Sequence, residues 1–106
     1  MFEAGPELPP ARFRELDPGL VQIVDVRQPW EHALARLPGS RLIPLGELAD
    51  RAGELDPGRP VATYCHHGVR SRFALAILRD LGFRDLAHLA GGIDAYSHLD
   101  PTVPRY

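Results

Sequence analysis

Val61-Ala62-Thr63-Tyr64-Cys65-His66-His67-Gly68-Val69-Arg70-Ser71, continued by Arg72-Phe73-Ala74-Leu75-Ala76-Ile77-Leu78, holds the reading that decides the fold. Its first four residues are apolar or β-branched without a polar face, as a strand covered on both sides requires. Phe73 to Leu78 is apolar around most of a helical circumference, which predicts an interior helix with Ser71 as its N-cap. Between them lies a short loop containing one glycine. A buried strand passing through a tight loop into a helix is the repeating unit of an α/β domain. It delivers Cys65 at the carboxyl end of the strand, where open α/β sheets bind ligands.

The alternation extends in both directions. Upstream, Asp56-Pro57-Gly58 is a turn by its chemistry. Leu45 to Leu55 predicts a helix despite Gly46 and Gly53, and Arg41-Leu42-Ile43 a brief strand ending before Pro44. Pro38-Gly39 is a turn, Trp30 to Leu34 a short helix, and Val21-Gln22-Ile23-Val24-Asp25-Val26 a second central strand. Leu8 ends a short first strand, and Pro9 and Pro10 open a helix running through Leu16. Downstream, Gly82 stands where a left-handed residue ends the helix, with Phe83 folding back on Leu78. Leu86 to Leu89 predicts the last strand and Ile93 to Leu99 the last helix.

The chain of 106 residues is long enough for one core and too short for two, so residues 1–106 are expected to form a single domain. A composition of 44% hydrophobic and 25% charged residues with a net charge of -2 is ordinary for a globular protein and offers no basic footprint for nucleic acid. No apolar run approaches the roughly 18–20 residues of a membrane span, and Met1 to Pro10 lacks the apolar stretch of a signal peptide. These features point to a cytoplasmic protein.

Cys65 is the single cysteine and has no partner for an internal disulfide. A tight strand-to-helix loop turns successive backbone N–H groups toward one point, and the helix N-terminus adds partial positive charge there. Such dipoles favour the anionic, nucleophilic form of a thiol. Gly68 permits a backbone conformation that a Cβ obstructs, and Arg70 offers a planar fork of donors to an oxyanion. His66 and His67 supply local charge and hydrogen bonds at the loop rim. Adjacent residues seldom aim three side chains at one ion, so neither a metal nor another cofactor is expected. His32, His88 and His98 read as structural or surface residues, and Asp25 with Arg27 as a structural pair at a strand end.

Four stretches carry a likeness to a known family. They are Asp25-Val26-Arg27 followed by Pro29-Trp30-Glu31; Leu37-Pro38-Gly39-Ser40 with Ile43-Pro44-Leu45; Tyr64 to Ser71; and Leu89-Ala90-Gly91-Gly92-Ile93 with Ala95-Tyr96. In this order they resemble the rhodanese-like family nearly end to end, particularly its small bacterial single-domain members. Two positions depart from its pattern. Ala35-Arg36 stands where Gly-His is frequent, and Tyr96 where Trp is common.

The resemblance implies a five-stranded, mostly parallel sheet in the order 1-5-4-2-3 with helices on both faces. It assigns Cys65 as the carrier of a persulfide, His66, His67, Gly68, Val69 and Arg70 as the substrate cradle, and Arg70 as the cradle's terminal substrate contact. The implied reaction moves a sulfane sulfur from a donor to a thiophilic acceptor such as cyanide, a thiol or a sulfur-carrier protein. Mercaptopyruvate-using relatives tend to have smaller, less charged loop residues, so His66, His67 and Arg70 favour the anion thiosulfate or a protein persulfide as donor. Two rival readings share the frame. One is a cysteine-dependent phosphatase or arsenate reductase, although protein tyrosine phosphatases resemble one another in placing five residues between Cys and Arg, where only four separate Cys65 from Arg70. The other is a non-catalytic protein-binding module.

Overall fold

Short β-rich segments separated by helices pair here into one sheet. The computed structural model describes residues 1–2 and 6–106. In chain order the elements are β1 (Glu7–Leu8), α1 (Pro10–Phe13), β2 (Gln22–Asp25), α2 (Pro29–Leu34), β3 (Arg41–Leu42), α3 (Leu48–Arg51), β4 (Val61–Tyr64), α4 (Val69–Asp80), β5 (Leu86–Leu89) and α5 (Gly92–Leu99). The strand order is β1-β5-β4-β2-β3, the order that the resemblance implies. Each of the four pairings is parallel, so among the described residues the sheet is wholly rather than mostly parallel. Parallel neighbours need crossover connections, which the helices provide.

Side chains alternate across the sheet as the strand period of two dictates. Val24, Val61 and Leu86 point to one face and pack with Leu48, Ala74, Leu75 and Leu78 of α3 and α4. Ile23, Ala62, Tyr64 and Leu89 point to the other and pack with Phe13, Ile93 and Tyr96 of α1 and α5. The sheet is therefore the middle of three layers with an apolar core on either side.

Several local readings need correction. The first helix ends at Phe13 because the chain tightens, with the N–H groups of Glu15 and Leu16 bonding three residues back to Arg12 and Phe13. The predicted helix over 45–55 is a short α-turn, Leu48–Arg51, between 3-10 turns at Leu45–Glu47 and Ala52–Glu54. Helix α4 is amphipathic rather than interior, since Val69 and Phe73 are 63% and 62% exposed. Its N-cap is Gly68, which puts Ser71 inside the first turn.

The far end of α4 follows the sequence reading. Gly82 takes a φ of +97°, and Phe83 N–H bonds Leu78 O at 3.0 Å while Gly82 N–H bonds Arg79 O at 3.1 Å. That pair of bonds is the Schellman motif. No helix among the described residues is long and apolar enough to cross a membrane.

Candidate active site

The register of the two central strands sets Asp25 opposite Tyr64, so the loops that leave β2 and β4 open on the same carboxyl edge of the sheet. Cys65 is the first residue beyond β4 and is 1% exposed. Its Sγ accepts the Gly68 N–H at 3.0 Å and the Ser71 N–H at 3.4 Å, and the Ser71 hydroxyl lies 3.6 Å away. Gly68 makes this turn with a φ of +102°, and a Cβ there would stand 3.3 Å from the backbone nitrogen of Gly91. Helix α5 holds the loop from behind. The Ile93 N–H bonds Cys65 O at 2.8 Å and the Asp94 N–H bonds His66 O at 3.0 Å. Donors that a helix start leaves unpaired are thereby used to fix the loop carbonyls.

Arg70 lies at the rim and donates to both oxygens of Glu31, at 2.6 and 3.0 Å. The Glu31 side chain is only 5% exposed and also accepts the Gln28 N–H at 3.0 Å and the Tyr106 hydroxyl at 2.9 Å. Burial pushes the Glu31 carboxyl up, but these donors outweigh it and bring the group down to about 2. Arg70 is therefore already paired.

This carboxylate gives the fold an acid limb. Because the folded-state value is depressed, the stabilisation is complete above the ordinary value of 4.5 and is lost as pH falls through about 2. Urea-unfolding midpoints measured stepwise from pH 5 downward are expected to decline across that window. Glu31→Gln is expected to be less stable at neutral pH and to show a shallower decline; a slope equal to the wild type's counts against this pairing.

The remaining predicted site residues fall in different places. His66 is half-buried and stacks on Tyr106, with ring centroids 4.2 Å apart, and on His67, at 4.0 Å. Burial first, and then the neighbouring His67, lowers the His66 imidazole from its ordinary value, so it contributes less positive charge than its sequence position suggested. His67 is exposed, and its Nε2 is 3.9 Å from Asp94 Oδ2. Ligand atoms of His66, His67 and Asp94 lie within 4.8 Å of one another. The two imidazole rings are stacked with their planes 30° apart. Val69 is the first residue of α4 with its side chain turned outward.

Four residues of the site escaped sequence reasoning. Glu31 was legible in part, because Gln28 with Glu31 three residues later makes a capping box at the start of α2. His88 carried a signal in being the one polar residue of the strand Leu86–Leu89. Ser71 reads from the sequence as a helix cap at the end of the Tyr64 to Ser71 stretch, without a contact to the sulfur, and Tyr106 carries no signal. A groove of about 420 Å³ lies elsewhere, lined by Val21, Gln22, Arg41, Glu54 and Arg59 near the amino ends of β2, β3 and β4. The chemistry-bearing groups are at the opposite edge, where sheets of this kind bind ligands.

A family model described as a rhodanese-like domain matches residues 13–99. The thiosulfate sulfurtransferase GlpE of Pseudomonas paraeruginosa is 31% identical over 102 residues, covering 96% of this chain and 93% of that protein. The rhodanese-like/PpiC domain-containing protein 12, chloroplastic, of Arabidopsis thaliana is 36% identical over 90 residues, which are 80% of this chain and 30% of that protein. The probable adenylyltransferase/sulfurtransferase MoeZ of Mycobacterium tuberculosis is 36% identical over 107 residues, 96% of this chain and 27% of its own. The chain thus spans less than a third of the length of these last two relatives. Among solved structures, a rhodanese-like domain protein from Staphylococcus aureus superposes with a TM-score of 0.81 at 26% identity, covering 96% of this chain and 99% of that one. A rhodanese-related protein from Thermoplasma volcanium has the same TM-score at 27% identity, covering 91% and 94%. Because the match takes in the central strands, the cysteine loop and the helix behind it, the chain belongs to the rhodanese-like domain family.

Proposed function

We propose that the protein is a sulfurtransferase in which Cys65 takes the outer sulfur of thiosulfate, carries it as a persulfide and passes it to a thiophilic acceptor. The observation that carries this reading is a lone cysteine sulfur, at the carboxyl end of a central strand, accepting two backbone N–H groups. In the first step the Cys65 sulfur, as thiolate, attacks the outer sulfur of the donor. The donor's S–S bond breaks, and sulfite leaves with the bonding pair. In the second step an acceptor nucleophile attacks the outer sulfur of the persulfide and Cys65 leaves as thiolate. Both steps keep negative charge on sulfur, and fixed amide donors are the groups that stabilise such charge without reorganising.

Arg70 adds a guanidinium at the rim, where it contacts the donor by competing with Glu31. The relative named as a thiosulfate sulfurtransferase covers 96% of this chain, which supports thiosulfate as donor. Cyanide serves as an acceptor in an assay, and a small thiol or a sulfur-carrier protein in the cell. The phosphatase alternative is disfavoured by loop length, since only four residues separate Cys65 from Arg70 where protein tyrosine phosphatases resemble one another in placing five.

The test is to incubate the protein with thiosulfate and weigh it intact. A gain of one sulfur atom is expected, with sulfite released in equal amount and the gain reversed by a thiol. The chain has one cysteine, so no second thiol confuses the assignment. An unchanged mass with thiosulfate and with small-molecule persulfides sinks the reading and leaves the protein-binding module in its place.

A further inference from the structure

His88 is a buried titratable side chain that the sulfur chemistry above leaves unused. It sits in β5, 1% exposed, behind the cysteine loop. Its Nδ1 is 2.9 Å from Ser71 Oγ, and that oxygen lies 3.6 Å from Cys65 Sγ with the thiol as donor. On its other side, Nε2 is 3.4 Å from Glu7 Oε1 on the paired strand β1, but it makes no hydrogen bond of normal geometry. A buried ring nitrogen without a full partner is costly. It is compensated if the ring at times carries a charge that the nearby carboxylate stabilises.

We propose that His88, acting through the Ser71 hydroxyl, takes up the proton of the Cys65 thiol and so readies the buried sulfur for attack. The inference rests on reading Cys65 as the nucleophile. In the step, the Cys65 S–H bond breaks as its proton moves to Ser71 Oγ, and the serine's own proton passes to His88 Nδ1. A thiolate, a neutral serine and an imidazolium result. The step needs the resting proton on Nε2, the tautomer that turns an N–H toward Glu7; this assignment follows from the hydrogen-bond network. The Ser71 hydroxyl has a second acceptor, Gly68 O at 3.2 Å, and His88 Nδ1 is the nearer of the two.

The groups around His88 act in both directions on the transfer. Burial lowers His88 from its ordinary value, Glu7 on β1 opposes that lowering, and Arg72 on α4 adds to it. The ring is thus neutral at rest and able to accept a proton. Once the proton has moved, Glu7 faces the imidazolium, while the Gly68 and Ser71 amides and the charge of Arg70 face the thiolate. Cys65 itself is nearly sealed from solvent, so an internal acceptor takes the place of bulk water.

The experiment follows the rate of Cys65 alkylation by iodoacetamide against pH in the wild type, His88→Gln, Ser71→Ala and the double variant. Alkylation reports the protonation of the sulfur whether or not thiosulfate ever loads it, so failure of this proposal is separable from failure of the sulfurtransferase reading. Glutamine can still accept the Ser71 hydrogen bond but cannot take a proton. At neutral pH both single variants are expected to react at least about tenfold more slowly. Their profiles should rise at higher pH and rejoin the wild type in alkali, and the double variant should be no slower than the slower single. Thermal midpoints follow folding, and if one single variant fails to fold, the other carries the test. A wild-type profile in a folded variant, a rate lowered equally at every pH, or losses that multiply in the double variant overturns the proposal.

Discussion

Arg27→Leu is expected to lower the folding free energy by about 3–5 kcal/mol, the cost of leaving a buried charge without its partner. Against a total of about 5–15 kcal/mol for a domain of this size, that is a large share of the whole. Both Arg27 and Asp25 are wholly buried. The guanidinium donates from Nε to Asp25 Oδ1 at 2.8 Å and from Nη2 to Asp25 Oδ2 at 2.7 Å, and its remaining N–H groups reach Ala35 O and Tyr106 Oη. It also lies over the rings of Tyr64 and Tyr106 at 5.3 and 5.5 Å. Burial works against the charge on Arg27, yet the Asp25 and Tyr106 hydrogen bonds outweigh it and hold the group more firmly protonated than usual.

With leucine at 27, the Asp25 carboxylate keeps only the Arg27 backbone N–H and His32 Nδ1, at 3.0 and 2.8 Å. Pairing Arg27→Leu with Asp25→Leu removes the orphaned charge and is expected to recover part of the loss, because apolar replacement of a whole buried pair is often near neutral. Urea unfolding followed by circular dichroism reads both numbers. A single-variant loss under about 1 kcal/mol contradicts the assignment of this pair as the anchor of the site. The anchor also reaches the rim. Arg27 donates to Tyr106, Tyr106 donates to Glu31, and Glu31 holds Arg70, so a folded Arg27→Leu protein should also load sulfur more slowly.

How much of this was legible depended on how local the cause was. Strands β4 and β5 fall at the predicted residues because an apolar run bounded by turn chemistry is a local signal. The same holds for Gly82 and the end of α4. Ser71 was misplaced for an equally physical reason. Serine is a favoured N-cap, but Gly68 can enter the left-handed region and starts the helix three residues earlier, which turns Ser71 inward to face Cys65 and His88. The Arg70–Glu31 pair spans 39 residues and the Ser71–His88 contact 17, and both exist only once the sheet has set strand order and register. Asp25 and Arg27, two residues apart at a strand end, were readable as a pair. Their burial beneath Tyr106, 79 residues from Arg27, was not.

Gly92→Ala is expected to cost about 3 kcal/mol or more and to abolish sulfur loading even in molecules that fold. Two terms add. Gly92 has a φ of +66°, where an L side chain costs about 1–2 kcal/mol. A Cβ at this position would also stand 2.2 Å from His66 O, 2.3 Å from His66 C and 2.6 Å from Cys65 O. All three are backbone atoms, so no change of rotamer relieves the clash and the loop itself must shift. The same two carbonyls accept the first N–H groups of α5, so the shift breaks the clamp that holds the cysteine loop and moves Cys65 Sγ away from the Gly68 and Ser71 amides. Gly53→Ala is the matching control. Nothing lies within 4 Å of a Cβ there and the backbone is unstrained, so the replacement should be neutral or stabilise by a few tenths of a kcal/mol. Thermal unfolding and intact-mass sulfur loading of the two variants separate the cases. If Gly92→Ala unfolds with the wild type and loads sulfur at its rate, the loop yields freely against α5, and the position of Cys65 does not depend on the bonds from Ile93 and Asp94.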